Sequence, residues 1–368
     1  MKLRKILFTL FVMIIAVVIL LKSDAVRASV ADAIVNCLTS VVPSLMTFMI
    51  VATFISNSAC SDVLGRLLGK PIGFVFNLPK DCAKTVVLSM LGGYPCGAKL
   101  ISDMLNRGEI DTQTAQKMLR FCINASPAYV ISAIGIGLFG SAKTGGIICF
   151  SHLFSAVLIG VLSRGKKTPH TIISKPQRMG LADCFVKSVT DSTHAMLCIS
   201  GFTITFSTVL TLLNETGIEA LFINLLTPLT HNAETSKAVL QVLFDVVSGS
   251  RACIDCPALT GVLLCSAAVS LGGMSIWAQV ISYFSGCKIN FFELVFFRLL
   301  HAVLTATLTY IIINITDTDI ATAYMLGTNT QQTPTGFVST ALFLLCCACF
   351  AITVDKNISL LLQRRKRK

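Results

Sequence analysis

Charge is scarce in this chain. Only 13% of its 368 residues are Asp, Glu, Lys or Arg, against about a quarter in an ordinary soluble domain. With 54% hydrophobic residues there is too little charged surface to cover a core in water. Acidic residues are the scarcer sign, 18 against 30 basic, for a net charge of +12. A continuous basic face for nucleic acid is nevertheless missing. Much of the positive charge sits in short clusters beside apolar runs: Lys2, Arg4 and Lys5; Arg164, Lys166, Lys167, Lys175 and Arg178; and Arg364 to Lys368. That is the distribution of a topology signal, and nucleic acid is excluded as a partner. Catalytic constellations are lacking as well. There is no H-E-x-x-H helix, Walker loop, dinucleotide fingerprint or nucleophile–base pairing, so no enzyme, cofactor or metal centre is expected. The fifteen cysteines lack the spacing of a disulfide or zinc framework. Most lie inside apolar runs, as Cys346, Cys347 and Cys349 do, where they act as small hydrophobes. Cys253 and Cys256 form a lone C-x-x-C, a weak signal for zinc or redox chemistry.

What is present is a series of apolar stretches near the length of a bilayer crossing, so lipid is the expected solvent. Spans are expected at about 6–21, 33–56, 115–140, 146–163, 188–213, 258–284, 291–313 and 336–354. The first resembles a signal peptide, but Leu21-Lys22-Ser23-Asp24 is a poor cleavage site, so residues 1–29 read as a retained signal-anchor span. Two further stretches are too short to cross. Residues 80–107 have two arms of about twelve residues around the break "GGYPCG", each about 18 Å long, against a hydrocarbon core of about 30 Å. The pattern predicts a re-entrant helical hairpin. Residues 236–257 repeat the plan, with the expected break at Ser248-Gly249-Ser250.

Placing both termini in the cytoplasm puts Arg66, Lys70, Lys80, Lys84, Arg107, Lys117, Arg120 and the loop 164–180 inside. The outer loops 214–235 and 314–335 then hold acidic residues and no Lys or Arg. The halves also resemble each other at an offset near 150 residues. "VADAIVN" at 30–36 parallels "LADCFVK" at 181–187, "GAK" at 97–99 parallels "GSR" at 249–251, and His152 parallels His301. The expected architecture is therefore an all-α polytopic transmembrane bundle of two inverted repeats, 30–163 and 181–313, each carrying one hairpin. A final segment, 314–368, holds an outer loop, a last span and a basic tail. Inverted repeats with broken helices are a recurring plan of secondary transporters.

Four breaks interrupt the apolar helices: Gly92-Gly93-Tyr94-Pro95, Asn124-Ala125-Ser126-Pro127, Ser248-Gly249-Ser250 and Leu271-Gly272-Gly273. Irregular backbone at membrane depth is tolerated only where protein or a polar cavity satisfies it, so these breaks point to a central ligand site. Its candidate residues are Gly93, Tyr94, Pro95, Asn124, Ser126, Pro127, Ser248, Gly249, Gly272, Gly273 and Gln279, with Lys99 and Arg251 flanking the hairpin tips. For Lys99 and Arg251 the alternative to an anionic ligand group is pairing with Asp103 or Asp245. For Asn124 and Ser126 it is helix–helix hydrogen bonding. Glu293, Arg298 and His301 on one span are expected in structural roles, with Glu293 paired to Arg298; a proton relay through His152 and His301 is the weaker reading.

"LGGYPCGAKLISDMLNRGEI", "AQKMLRFCINASPAYVISAIGIGLF", "SIWAQVISYFSG" and "FFRLLHAVLTATLTYII" resemble the sporulation integral membrane protein YlbJ family, within the wider group that carries a nucleoside-recognition (Gate) domain. The resemblance covers about residues 30–313. It implies a multi-pass cell-membrane protein needed for spore cortex formation. The chain departs from the family pattern at Ile123-Asn124-Ala125-Ser126-Pro127 and at Ile276-Trp277, so no substrate is carried over. The expected function is a transporter-like permease for an unknown small molecule. The alternative is a non-transporting scaffold that recruits cortex-assembly proteins through its basic loop and tail. Expected partners are the bilayer, a small-molecule substrate, and other sporulation membrane proteins or a second copy of the chain.

Overall fold

The computed structural model describes residues 2–58, 60–165, 180–316 and 318. The expected span 336–354, the basic tail and residues 166–179 of the basic loop lie outside these residues. Within them every regular element is helical. The first half runs α1 (Lys2–Leu21), α2 (Ser23–Asn36), α3 (Val42–Asn57), α4 (Cys60–Phe76), α5 (Ala83–Gly92), α6 (Tyr94–Asn106) and α7 (Thr112–Leu119). A π-helix (Tyr129–Leu138) and α8 (Ala142–Leu162) complete it. The second half runs α9 (Leu181–Glu215), α10 (Ile218–Thr230), α11 (Ala233–Phe244), α12 (Val246–Ala252), α13 (Ala258–Leu271), α14 (Gly273–Tyr283) and α15 (Phe291–Ile315).

Among the described residues, six helical stretches are long and apolar enough to cross a bilayer: α1, α2–α3, α8, α9, α13–α14 and α15. α2 and α3 form one 35-residue helix through a π-turn at Cys37–Val41. The turn precedes Pro43, which has no N–H to give to the helical ladder, so the pairing relaxes locally. Helix starts carry the expected caps. Asp111, Ser141, Asn232 and Asn290 each accept from the backbone N–H three residues on, at 2.7, 3.1, 2.9 and 3.2 Å.

The span expected at 115–140 is not continuous. α7 ends at Leu119, residues 123–126 are irregular, and helix resumes behind Pro127. Residues 214–235, expected as an outer loop, contain the apolar helix α10, which packs on α11.

α5 and α6 fold back on each other at Gly93, whose φ of 86° suits a residue without Cβ. Thr85 near the start of α5 donates to Met104 Sδ near the end of α6, at 3.0 Å. α12 folds back over the end of α11 in the same manner. α9 lies antiparallel to α2–α3 along its length: Lys22 pairs with Glu215 at 3.0 Å, Ser29 meets Ser207 at 2.9 Å, and Cys184 donates to Asn57 O at 3.2 Å. α13 sits innermost, against α8, α11, α12 and α15, and most of its C-terminal half is buried.

Candidate functional site

The four breaks meet in pairs. Gly93 lies against Ser126, and a Cβ built on it would be 3.7 Å from the Ser126 amide nitrogen. Gly273, after Gly272 (φ 76°) at the α13–α14 break, lies against the backbone of Phe244 and Asp245. The second hairpin breaks at Asp245 (φ −150°, ψ 135°), not at Ser248-Gly249-Ser250 as expected. The Asp245 carboxylate accepts from the N–H groups of Val247 (3.0 Å) and Ser248 (2.9 Å), so α12 starts immediately after it. Gly249 is helical and serves packing instead: an added Cβ would lie 2.5 Å from Val242 Cα.

Between the breaks is a small cavity of about 20 Å³, lined by Tyr94, Pro95 and Ser126 from the first half and Asp245, Ile276 and Gln279 from the second. That volume holds about one water. Tyr129 and Thr203 complete its polar wall. The Tyr94 hydroxyl donates to Val269 O across the halves. Gln279 is 3% exposed, and neither amide atom has a partner among the described residues. Asp245 is 1% exposed, and Ser275 donates to its Oδ1 at 2.7 Å.

A larger cleft of about 370 Å³ adjoins this cavity and shares Thr203 and Val247 with it. Its wall is polar: Asp32, Asn36, Ser207, Gln241, Ser248 and the exposed Arg251. Away from the cleft, Lys99 is engaged by Asp103 (2.7 Å) and Asp191 (3.1 Å), and Asp191 also pairs with Lys187 (3.2 Å). Ser102 ties the same side of α6 to Tyr283 O at 2.6 Å. α9 passes all three features in order: Asp191 in the ion cluster, Ile199 and Thr203 at the cavity, Ser207 and Thr211 in the cleft. Asp191 and Ser207 are about 24 Å apart along the helix at 1.5 Å per residue.

Tyr94, Pro95, Ser126 and Gln279 therefore share the cavity, while Ser248 and Arg251 face the cleft. Lys99 and Asn124 do neither. Lys99 takes the ion-pair alternative, and Asn124 Nδ2 donates to Phe121 O at 2.8 Å within its own break. Arg251 is not paired with Asp245. Glu293 pairs with Arg120 (2.6 Å) rather than Arg298. Arg298, 1% exposed, donates to Arg120 O at 2.6 Å and to Ile123 O, so its charge is met by carbonyls left at the end of α7.

His152 and His301 stack with centroids 4.7 Å apart. The Ala125 N–H donates to His152 Nε2 at 3.0 Å, and a backbone N–H has no other role, so the His152 proton is on Nδ1 and is given to Ser270 Oγ at 2.8 Å. Ser270 donates on to Thr305 at 2.7 Å. His301 Nε2 faces the His152 carbonyl at 2.9 Å and is the protonated nitrogen of its ring. The pair pins the break at Ala125 to α8 and α15.

Asp245 and Asp191 are absent from the sequence-derived site. A signal existed for Asp245, since it is the one charge in the apolar run 238–250. Thr203 and Tyr129 carried no comparable mark.

No family model matches the chain, and no solved structure matches it. Among curated proteins it is similar to the sporulation integral membrane protein YlbJ of Bacillus subtilis (strain 168), at 22% identity over 333 residues, 78% of this chain and 82% of that protein. This likeness bears out the YlbJ-family resemblance of the sequence and, with six apolar helices of spanning length, marks the chain as an integral membrane protein related to YlbJ.

Proposed function

We propose that the chain is a sporulation membrane protein of the permease type. In this reading it moves a small polar solute by alternating access in support of spore cortex formation, and it catalyses no reaction. Residues 30–163 and 181–313 are inverted repeats, α5–α6 and α11–α12 are re-entrant hairpins, and both termini are cytoplasmic. The observation that carries the reading is the sequence of features along α9: a polar cleft at one end, a small cavity between four helix breaks, and an ion cluster at the other end. A carrier open to one side has this arrangement, with a cleft that adjoins the cavity at Thr203 and Val247 and a seal beyond it. Further support comes from the antiparallel packing of α2–α3 on α9 and the stacking of His152 on His301, since each pairs segments at equivalent places in the two halves. With the N-terminus inside, Lys22 and Glu215 lie at the outer surface, so the cleft faces outward and the Lys99 cluster seals the cytoplasmic side.

Ser248→Trp tests the reading by filling the cleft without touching the basic loop or tail. A permease should lose its contribution to spore cortex formation while the variant inserts and accumulates normally. Full retention of that contribution would support the scaffold instead.

A further inference from the structure

The cavity between the breaks holds a carboxylate with no cation. Asp245 Oδ1 and Oδ2 accept three hydrogen bonds, from Ser275, Val247 and Ser248, and no ion pair involving Asp245 occurs among the described residues. All of these partners are neutral, so none of them balances the charge of the carboxylate. A lone negative charge in an apolar bundle is costly unless it is paired, neutralised by a proton or matched by a bound ion. Independently, Gln279 lines the same cavity with its amide oxygen and nitrogen both buried and without a partner among the described residues. A buried amide without partners incurs the full desolvation penalty of its polar atoms, which a ligand at the cavity would relieve. Two hydroxyls, on Ser126 and Thr203, complete the polar wall.

We infer that this cavity is a binding site for one dehydrated monovalent cation of sodium size. The donors are hard oxygens, the choice of hard cations: the Asp245 carboxylate, the Gln279 amide oxygen and the two hydroxyls. One carboxylate balances one positive charge, and the space of about 20 Å³ admits one water-sized particle. The site joins both halves, with Ser126 from the first and Asp245 and Gln279 from the second, so an ion there ties the four breaks together. The cleft supplies the route in, through Thr203 and Val247. As the coupling ion's site this rests on the permease reading; as a binding site it does not.

The test is thermal unfolding of the purified full chain in detergent, in sodium, lithium, potassium or choline chloride at constant ionic strength. Sodium should raise the unfolding temperature saturably over choline, with potassium weaker. Asp245→Asn keeps the helix cap and should abolish the sodium-specific rise. Gln279→Leu leaves the carboxylate untouched but removes one oxygen donor, and should raise the half-saturating sodium concentration. Equal stability in sodium and choline at every pH from 6 to 8, or a sodium response unchanged in both variants, would overturn the inference. Failure of the cleft-filling variant to impair sporulation would leave a sodium site in a protein that is not a permease, so the two readings fail separately.

Discussion

Gly97 and Gly146 are both helical glycines in apolar surroundings, and they differ in what a methyl group would meet. At Gly97 an added Cβ would lie 2.0 Å from the Cys122 carbonyl oxygen, a backbone atom that cannot step aside. At Gly146 nothing lies within 4 Å. Gly97→Ala should therefore destabilise the protein by at least about 1–3 kcal/mol through overpacking. Gly146→Ala should be neutral or slightly stabilising, since alanine is the better helix former by up to about 1 kcal/mol. Thermal unfolding of the two variants in the same detergent checks this; equal effects would contradict the close approach of α6 to the break at 122–126. Arg298 makes a second residue-scale case. Arg298→Lys keeps the charge but has no planar fork to reach the carbonyls of Arg120 and Ile123 together. The loss of one charge-assisted hydrogen bond should cost about 1.5–3 kcal/mol, measured as a fall in unfolding temperature without loss of membrane insertion.

At the scale of elements, the breaks separate by what makes them. Gly93 and Gly272 turn the chain with positive φ, whereas Asp245 does so by capping the helix that follows. Asparagine caps as well as aspartate does, so Asp245→Asn should leave α12 intact. Asp245→Ala removes the cap and the acceptor of Ser275, and should cost about 0.5–2 kcal/mol more than Asp245→Asn. Hydrogen exchange at the Val247 and Ser248 amides provides the check, with faster exchange expected in the alanine variant alone. This is where sequence reading went astray by three residues: "SGS" has the composition of a turn, but Gly249 is small because Val242 lies behind it.

At the scale of the molecule, the antiparallel seam between α2–α3 and α9 joins the two halves. Ser29 and Ser207 face each other at 2.9 Å across it. Replacing both with cysteine in a chain freed of native cysteines should form an intramolecular disulfide on mild oxidation, since the side chains already approach within bonding reach. Mobility shift after protease cleavage in the basic loop reads the result; parallel or separated helices would give no cross-link. At the far end of α9, Asp191→Asn removes the carboxylate shared by Lys99 and Lys187. If the cluster is the cytoplasmic seal, a cysteine at Ser102 should gain reactivity toward a thiol reagent from that side, and one at Ser207 should lose it from the other.

Much of this was legible in the linear chain. Scarce charge and long apolar runs require lipid and helices, because the transfer cost of each residue is local and adds along a segment. The neighbourhoods of Gly93, Ser126 and Gly272 were likewise marked by residues that cannot continue a helix, and Tyr94 and Gln279 followed from their distance to those breaks. Apart from the pairing of Lys99 with Asp103 one turn on, which charge meets which was not legible. Lys99 chose Asp191 on α9, Glu293 chose Arg120, Arg298 chose carbonyls rather than a carboxylate, and Asp245 was left to the cavity. Those choices depend on groups separated by 92 to 178 residues and brought together only when the two halves pack, and no local pattern encodes that distance.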